Sequence, residues 1–314
     1  MDIFITTLSS VAVLLGIAVI GFWITRKKIL HENLIGVLSP LALEIALPCL
    51  IFVNIINDFS PKDYPDWWQL PLWWLFFTAI AAVLTFFTMF VSKKEMRREF
   101  AASLFYPNGI FFPLAILASI FGSNSMYIVY LFLFTIFYAA LLFSTYPIFF
   151  ENKDKKWLNW KRIFNPIMVV TIIAIAIKIL DLHVFIPDFI ITIFTLLGGM
   201  SVPLIMIVLG GTIYIDIKQK DQLQIKEMTK FVLIKNILFP VFFIAILLFI
   251  RPSYFVALLI FLQSVVPPVT AIPILAERSG GNRAIANQFM LASFISSLFT
   301  IPVMFLFFSM FFIL

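Results

Sequence analysis

The chain has 314 residues, of which 62% are hydrophobic and 12% charged, with a mean hydropathy of +1.08 and a formal net charge of +6. That balance excludes a soluble domain, and the long unbroken apolar runs exclude a β-barrel, whose strands alternate apolar and polar residues. The expected fold is an all-α integral membrane protein.

Ten apolar stretches are each near the ~20 residues that a bilayer requires. They are 3–25, 34–56, 70–91, 101–121, 126–150, 164–180, 189–213, 231–250, 254–275 and 285–312. Met1 and Asp2 lead straight into the first, and its positive charges, Arg26, Lys27 and Lys28, come after it. A cleaved leader carries its charge first, so the first span is expected to be retained. Spans and short loops account for the chain, with no appended soluble domain. Cys49 lies inside the second span, which predicts no intramolecular disulfide and no cysteine metal site.

The loops alternate in charge. Basic residues follow the odd-numbered spans: Arg26, Lys27 and Lys28; Lys93, Lys94, Arg97 and Arg98; Lys153, Lys155, Lys156, Lys161 and Arg162; Lys218, Lys220, Lys226 and Lys230; Arg278 and Arg283. These are eighteen of the 22 basic residues. The opposite side has Lys62, Lys178 and Arg251. The positive-inside rule places the eighteen in the cytoplasm and both termini outside, in a cell membrane. The net charge is thus a topology signal and does not point to nucleic acid.

Ten spans divide into five and five. The expected units are a first repeat over 1–150, a cytoplasmic linker over 151–162 and a second, inverted repeat over 163–314. Prolines recur at matching places: Pro48 with Pro203, Pro107 and Pro113 with Pro267 and Pro273, and Pro147 with Pro302.

Spans 4 and 9 are the ones most damaged as helices. The fourth reads Tyr106-Pro107-Asn108-Gly109-Ile110-Phe111-Phe112-Pro113, and the ninth Val266-Pro267-Pro268-Val269-Thr270-Ala271-Ile272-Pro273. Pro113 frees the carbonyl of Gly109, and Pro107 that of Ser103. In hydrocarbon such groups need protein or a watery cavity. Interrupted segments at corresponding places in two halves point to a transporter's binding site. Half-helix N-termini suit an anion, and unwound carbonyls suit a proton or cation. Asn108 adds a donor and an acceptor, Thr270 a hydroxyl, and Gln263 and Ser264 lie about a turn ahead of the second break.

Glu44 is the acidic residue deepest in a span. An ionised carboxylate there is costly, so it is expected to face the interior or a cavity, as an ion-coupling group or a neutral buried acid. Pro48 would leave the carbonyl of Glu44 unpaired. Lys235 lies about one turn inside span 8 and is expected to snorkel to the interface. Gly198, Gly199, Gly210 and Gly211 in span 7 favour close helix packing. Gln288, Ser293, Ser296, Ser297 and Thr300 in span 10 read as hydrogen bonds between helices. Trp67, Trp68, Trp73, Trp74, Trp157 and Trp160 read as interfacial anchors. His31 and His183 lack a metal-ligand pattern, and no phosphate-cradling loop or catalytic pair is present, so no metal, cofactor or enzyme activity is expected. Uphill transport would then draw on an ion gradient.

These residues resemble the auxin efflux carrier family, the PIN-like transporters of the bile acid/sodium symporter superfamily. The resemblance runs over essentially the whole chain. It rests on 41–52 with Pro48, on 108–115 followed by Phe121-Gly122, and on Asn165-Pro166. It continues through Pro203-Leu204 with Gly210-Gly211, Pro240, 267–273, and Thr300-Ile301-Pro302. It implies ten helices as a scaffold domain and a transport domain, with spans 4 and 9 crossing in the latter. It also implies a homodimer and an organic-anion substrate such as an auxin, malate or malonate. By motif match, Asn108 with Pro107, Gly109, Pro113, Pro267 and Pro268 become substrate contacts, joined by Thr270 and Gln263. Plant members place an asparagine near the second crossover, where this chain has Pro268, Val269 and Thr270. Glu44 stands where many members have an apolar residue. The function so implied is secondary transport by alternating access; the candidate coupling of a proton through Glu44 rests on that residue's place in the span and is not implied by the resemblance. The alternative is a receptor that binds the anion without flux.

Overall fold

The computed structural model describes residues 3–62, 64–122, 125–150, 166–218 and 223–312. The expected linker over 151–162 with Trp157 and Trp160, Asn165, and Lys220 lie outside these residues. Every regular element among the described residues is helical.

In chain order α1 is Ile3–Arg26, α2 Glu32–Pro40, α3 Leu47–Asp58, α4 Leu70–Thr88, α5 Arg97–Phe105, α6 Phe111–Phe121, α7 Met126–Phe134 and α8 Tyr138–Thr145. After the linker come α9 Pro166–Ile179, α10 Asp188–Gly199, α11 Ser201–Lys218, α12 Ile225–Val232 and α13 Phe239–Ile250. The last three are α14 Tyr254–Val265, α15 Ile272–Arg278 and α16 Arg283–Ser309. Six stretches are long and apolar enough to cross a membrane: Ile5–Arg26, Asn33–Asp58, Pro65–Val91, Asp188–Ile215, Ile225–Ile250 and Arg283–Ser309. Shorter apolar helices, Phe111–Phe121, Met126–Leu142, Pro166–Ile179 and Tyr254–Val265, fall on the other four stretches expected from sequence. This is a multi-pass membrane protein.

Two prolines are absorbed in the same way. A π-helical turn, Leu41–Ala46, joins α2 to α3 just before Pro48, and another, Leu233–Leu238, joins α12 to α13 just before Pro240. Each π turn takes up one extra residue, so the chain enters the proline without a break. The N–H of Leu47 bonds back to Ala42 across the wider ring.

Glycine sets how closely α1 lies along α11. A Cβ at Gly210 would stand 1.8 Å from the carbonyl oxygen of Ala18, and one at Gly21 would stand 2.3 Å from that of Ile207. The backbones therefore meet with nothing between them, as the small residues of span 7 predict. Helix α3 packs against α9 and α10, while α16 runs beside α1, α5, α12 and α15.

Two carboxylates tie helix ends together. Glu99 on α5 accepts the backbone N–H of Asn282 (2.7 Å), which caps α16. Glu227 on α12 accepts from the Ser92 hydroxyl (3.0 Å) and the Lys93 N–H (3.2 Å), both in the turn after α4. Between the second π turn and α16, Asn236 accepts the Ser293 hydroxyl (2.6 Å) and donates to the Ser293 carbonyl (3.0 Å) and Thr300 Oγ1 (3.1 Å). The span-10 hydroxyls Ser293 and Thr300 thus bond between helices.

Two sequence expectations need correction. The fifth stretch is not one helix: it breaks between α7 and α8 at Thr135–Phe137, where the Thr135 hydroxyl bonds to the carbonyl of Leu131 (2.7 Å). Trp74 is no interfacial anchor. It is buried, with its ring edge-on to Tyr138, because α4 turns that face onto the core rather than outward.

Candidate functional site

Helix α5 stops at Phe105 and α6 starts at Phe111; α14 stops at Val265 and α15 starts at Ile272. The two gaps meet as a short antiparallel bridge with Pro107 opposite Pro268. The Asn108 N–H donates to the Pro267 carbonyl (2.7 Å), and the Val269 N–H to the Tyr106 carbonyl (2.9 Å). In this register the two opposed residues need no N–H of their own, so proline fits at both.

Two carbonyls freed by the prolines, those of Gly109 and Ser264, find partners on neighbouring elements. Gly109 O, released by Pro113, accepts the side-chain amide of Gln263 at 2.7 Å. The approach is so close that a Cβ on Gly109 would stand 2.1 Å from Gln263 Oε1. Pro107 O accepts the Tyr138 hydroxyl, and the Tyr106 hydroxyl pairs with Thr145 Oγ1 (2.7 Å). Helix α8 therefore braces the first break from behind. Ser264 O, just before the second break, accepts the ammonium of Lys235 at 3.3 Å. Lys235 does not snorkel. It is 1% exposed, and its charge sits 5.1 Å from the centre of the Phe239 ring. The π turn carries it inward, where a carbonyl and an aromatic face are both in reach.

The backbone and the Gln263 amide thus bridge the breaks, while the Asn108 side chain does not. Asn108 is 1% exposed, yet neither its Oδ1 nor its Nδ2 has a hydrogen-bond partner, and Gln263 Oε1 is also without one. Beside the breaks lies a cavity of about 100 Å³. Phe111 opens it from α6 and Thr270 from the second break; Leu209 and Thr212 of α11 and Leu43 of the first π turn form the facing wall.

Two stretches, residues 6–159 and 154–305, match the model of a family described as membrane transport protein. The chain belongs to this membrane transport protein family. It is the auxin efflux carrier family that the residues resemble. A search of curated proteins finds no match.

In this membrane transport protein the structure brings Pro107, Asn108, Gly109, Gln263, Pro267 and Pro268 into one crossover. Thr270 sits on the adjoining cavity, and Pro113, buried in the first turn of α6, leaves the Gly109 carbonyl open. Glu44 is elsewhere. It lies on an exposed face of the first π turn, next to Leu43 but outside the cavity wall, contrary to the expectation of an interior position. Sequence reasoning missed Tyr138, Thr145 and the inward Lys235. A lone tyrosine and threonine in an apolar span are weak signals, and the π turn that rotates Lys235 has no sequence mark beyond Pro240.

The transport protein also has a much larger cavity, about 1020 Å³, at the expected cytoplasmic ends of its helices. Lys94, Arg97, Arg98 and Arg283 line it together with Glu95, Glu99 and Glu277.

Proposed function

We propose that this membrane transport protein carries a small organic anion by alternating access, with the anion seated at the crossover of the two broken helices. One observation carries the reading: the Asn108 carboxamide is buried with both of its polar atoms unpaired. Leaving buried polar atoms unpaired costs about 1–3 kcal/mol each, and a ligand that accepts from Nδ2 relieves that cost. A carboxylate is the anionic group that suits this amide, close to the N-terminus of α6, where the helix dipole favours negative charge.

The ten spans act as two inverted five-helix repeats, with the basic ends in the cytoplasm and both termini outside. Part of the chain rocks against the rest, and two copies form a homodimer. Glu44 is the proposed proton-coupling carboxylate. Because it stands apart from the cavity, it would act from the flank of the span rather than by sharing the anion's seat. Glu44→Gln should then transport without dependence on a pH gradient, and an unchanged pH profile removes Glu44 from the mechanism.

Counterflow of radiolabelled carboxylates in proteoliposomes tests the main reading. Wild-type protein should exchange an organic anion, and Asn108→Ala should exchange it at least tenfold more slowly. Binding without flux in wild type would instead make the protein a receptor.

A further inference from the structure

Resting on the reading above, we infer that the carried anion has a single carboxylate on a short apolar body. The cavity beside the crossover measures about 100 Å³. At ~30 Å³ for each water in the liquid, that is room for roughly three waters, or a solute of roughly four to six non-hydrogen atoms. None of its lining residues is charged. Leu43, Phe111, Leu209 and Ile274 give it apolar walls, and Thr212 and Thr270 give it hydroxyls. The walls suit a hydrocarbon body.

The polar groups at the crossover point the same way. The unpaired Asn108 carboxamide and the N-terminus of α6 beside it offer a seat to one carboxylate. A second carboxylate would be left ionised in an uncharged, largely apolar space, which is strongly unfavourable. Aromatic acids built on a fused ring exceed the volume.

Thermal unfolding shifts and counterflow should be measured with the full chain for two series at equal concentration: unbranched monocarboxylates from acetate to octanoate, and the diacids malonate, succinate and malate. Stabilisation and exchange should peak at roughly two to four carbons in the first series and be absent in the second. Ile274→Ala enlarges the cavity and should move the optimum to longer chains by about two carbons, a shift that loss of fold stability alone does not give. Asn108→Ala should weaken the best monocarboxylate at least tenfold; should that variant fail to fold, the Ile274 series decides. Diacids that bind or exchange as well as the best monocarboxylate would overturn the inference and leave the anion-transport reading standing. So would an unmoved optimum in Ile274→Ala. Absence of exchange for every anion in wild type would overturn the transport reading and the inference with it.

Discussion

The side chain of Gln263, on one broken helix, donates over 2.7 Å to the backbone carbonyl of Gly109 on the other. That carbonyl is free because Pro113, four residues on, has no N–H to offer it. Gln263→Leu keeps the bulk and removes the donor. It should lower stability by about 1–3 kcal/mol, seen as a lower unfolding midpoint in detergent. A midpoint equal to wild type would mean that water satisfies Gly109.

Gly109 and Gln263 should also be coupled. An added methyl at Gly109 would stand 2.1 Å from Gln263 Oε1, so Gly109→Ala forces the amide aside and breaks the same bond. Gly109→Ala combined with Gln263→Ala should therefore cost less than the two single changes summed, by roughly 0.5–3 kcal/mol in a double-mutant cycle. Additive losses would separate the two residues.

For Asn108 the signs of stability and transport should differ. Its side chain makes no hydrogen bond, so Asn108→Ala removes two unpaired buried atoms and should leave the unfolding midpoint unchanged or raised. Transport by the same protein should fall at least tenfold. A parallel fall in both would make Asn108 structural.

Tyr138→Phe keeps the ring against Trp74 and removes only the hydroxyl that reaches Pro107 O. The expected loss is about 1–3 kcal/mol, the cost of an orphaned buried carbonyl. Chemical denaturation of the two proteins side by side checks it. Equal stability would show that the first break does not depend on α8.

Gly210→Val should be far harsher than its exposed-helix cost. Its Cβ would stand 1.8 Å from Ala18 O, and backbone cannot yield as a flexible side chain does. Separating α1 from α11 should cost about 1–3 kcal/mol or more, measured as loss of monodisperse protein after purification. Gly199→Val, with open space around its Cβ, is the matched control and should be tolerated.

Much of the crossover was legible because proline and glycine constrain the backbone whatever surrounds them. The positions of Pro107, Pro113, Pro267 and Pro273 located both breaks, and the freed Gly109 carbonyl followed from chain geometry alone. What supplied its partner was less accessible. Gln263 lies 154 residues away, and only the packed helices bring the two together. Lys235 was misread for a related reason: depth along a helix says nothing of which way a side chain turns once a π turn has shifted the phase. Trp74 and the split fifth span failed alike, since an all-apolar stretch has no polar face to mark its core side. Glu44 was expected inside on cost alone, yet its π turn leaves it on an exposed face beside Leu43.

The two π turns have a consequence for sequence change. Each holds one residue more than an α-helical turn would, and successive residues of an α-helix are rotated by about 100°. Removing a single residue from Leu41–Ala46 or Leu233–Leu238 would restore ordinary helical hydrogen bonding, and because the wider turn already absorbs that residue's rotation, the helix beyond would keep the faces it now presents. Elsewhere in the same spans a one-residue deletion would swing everything beyond it toward lipid. In these two turns, shortening by one residue should be less damaging than the same deletion in the α-helical parts.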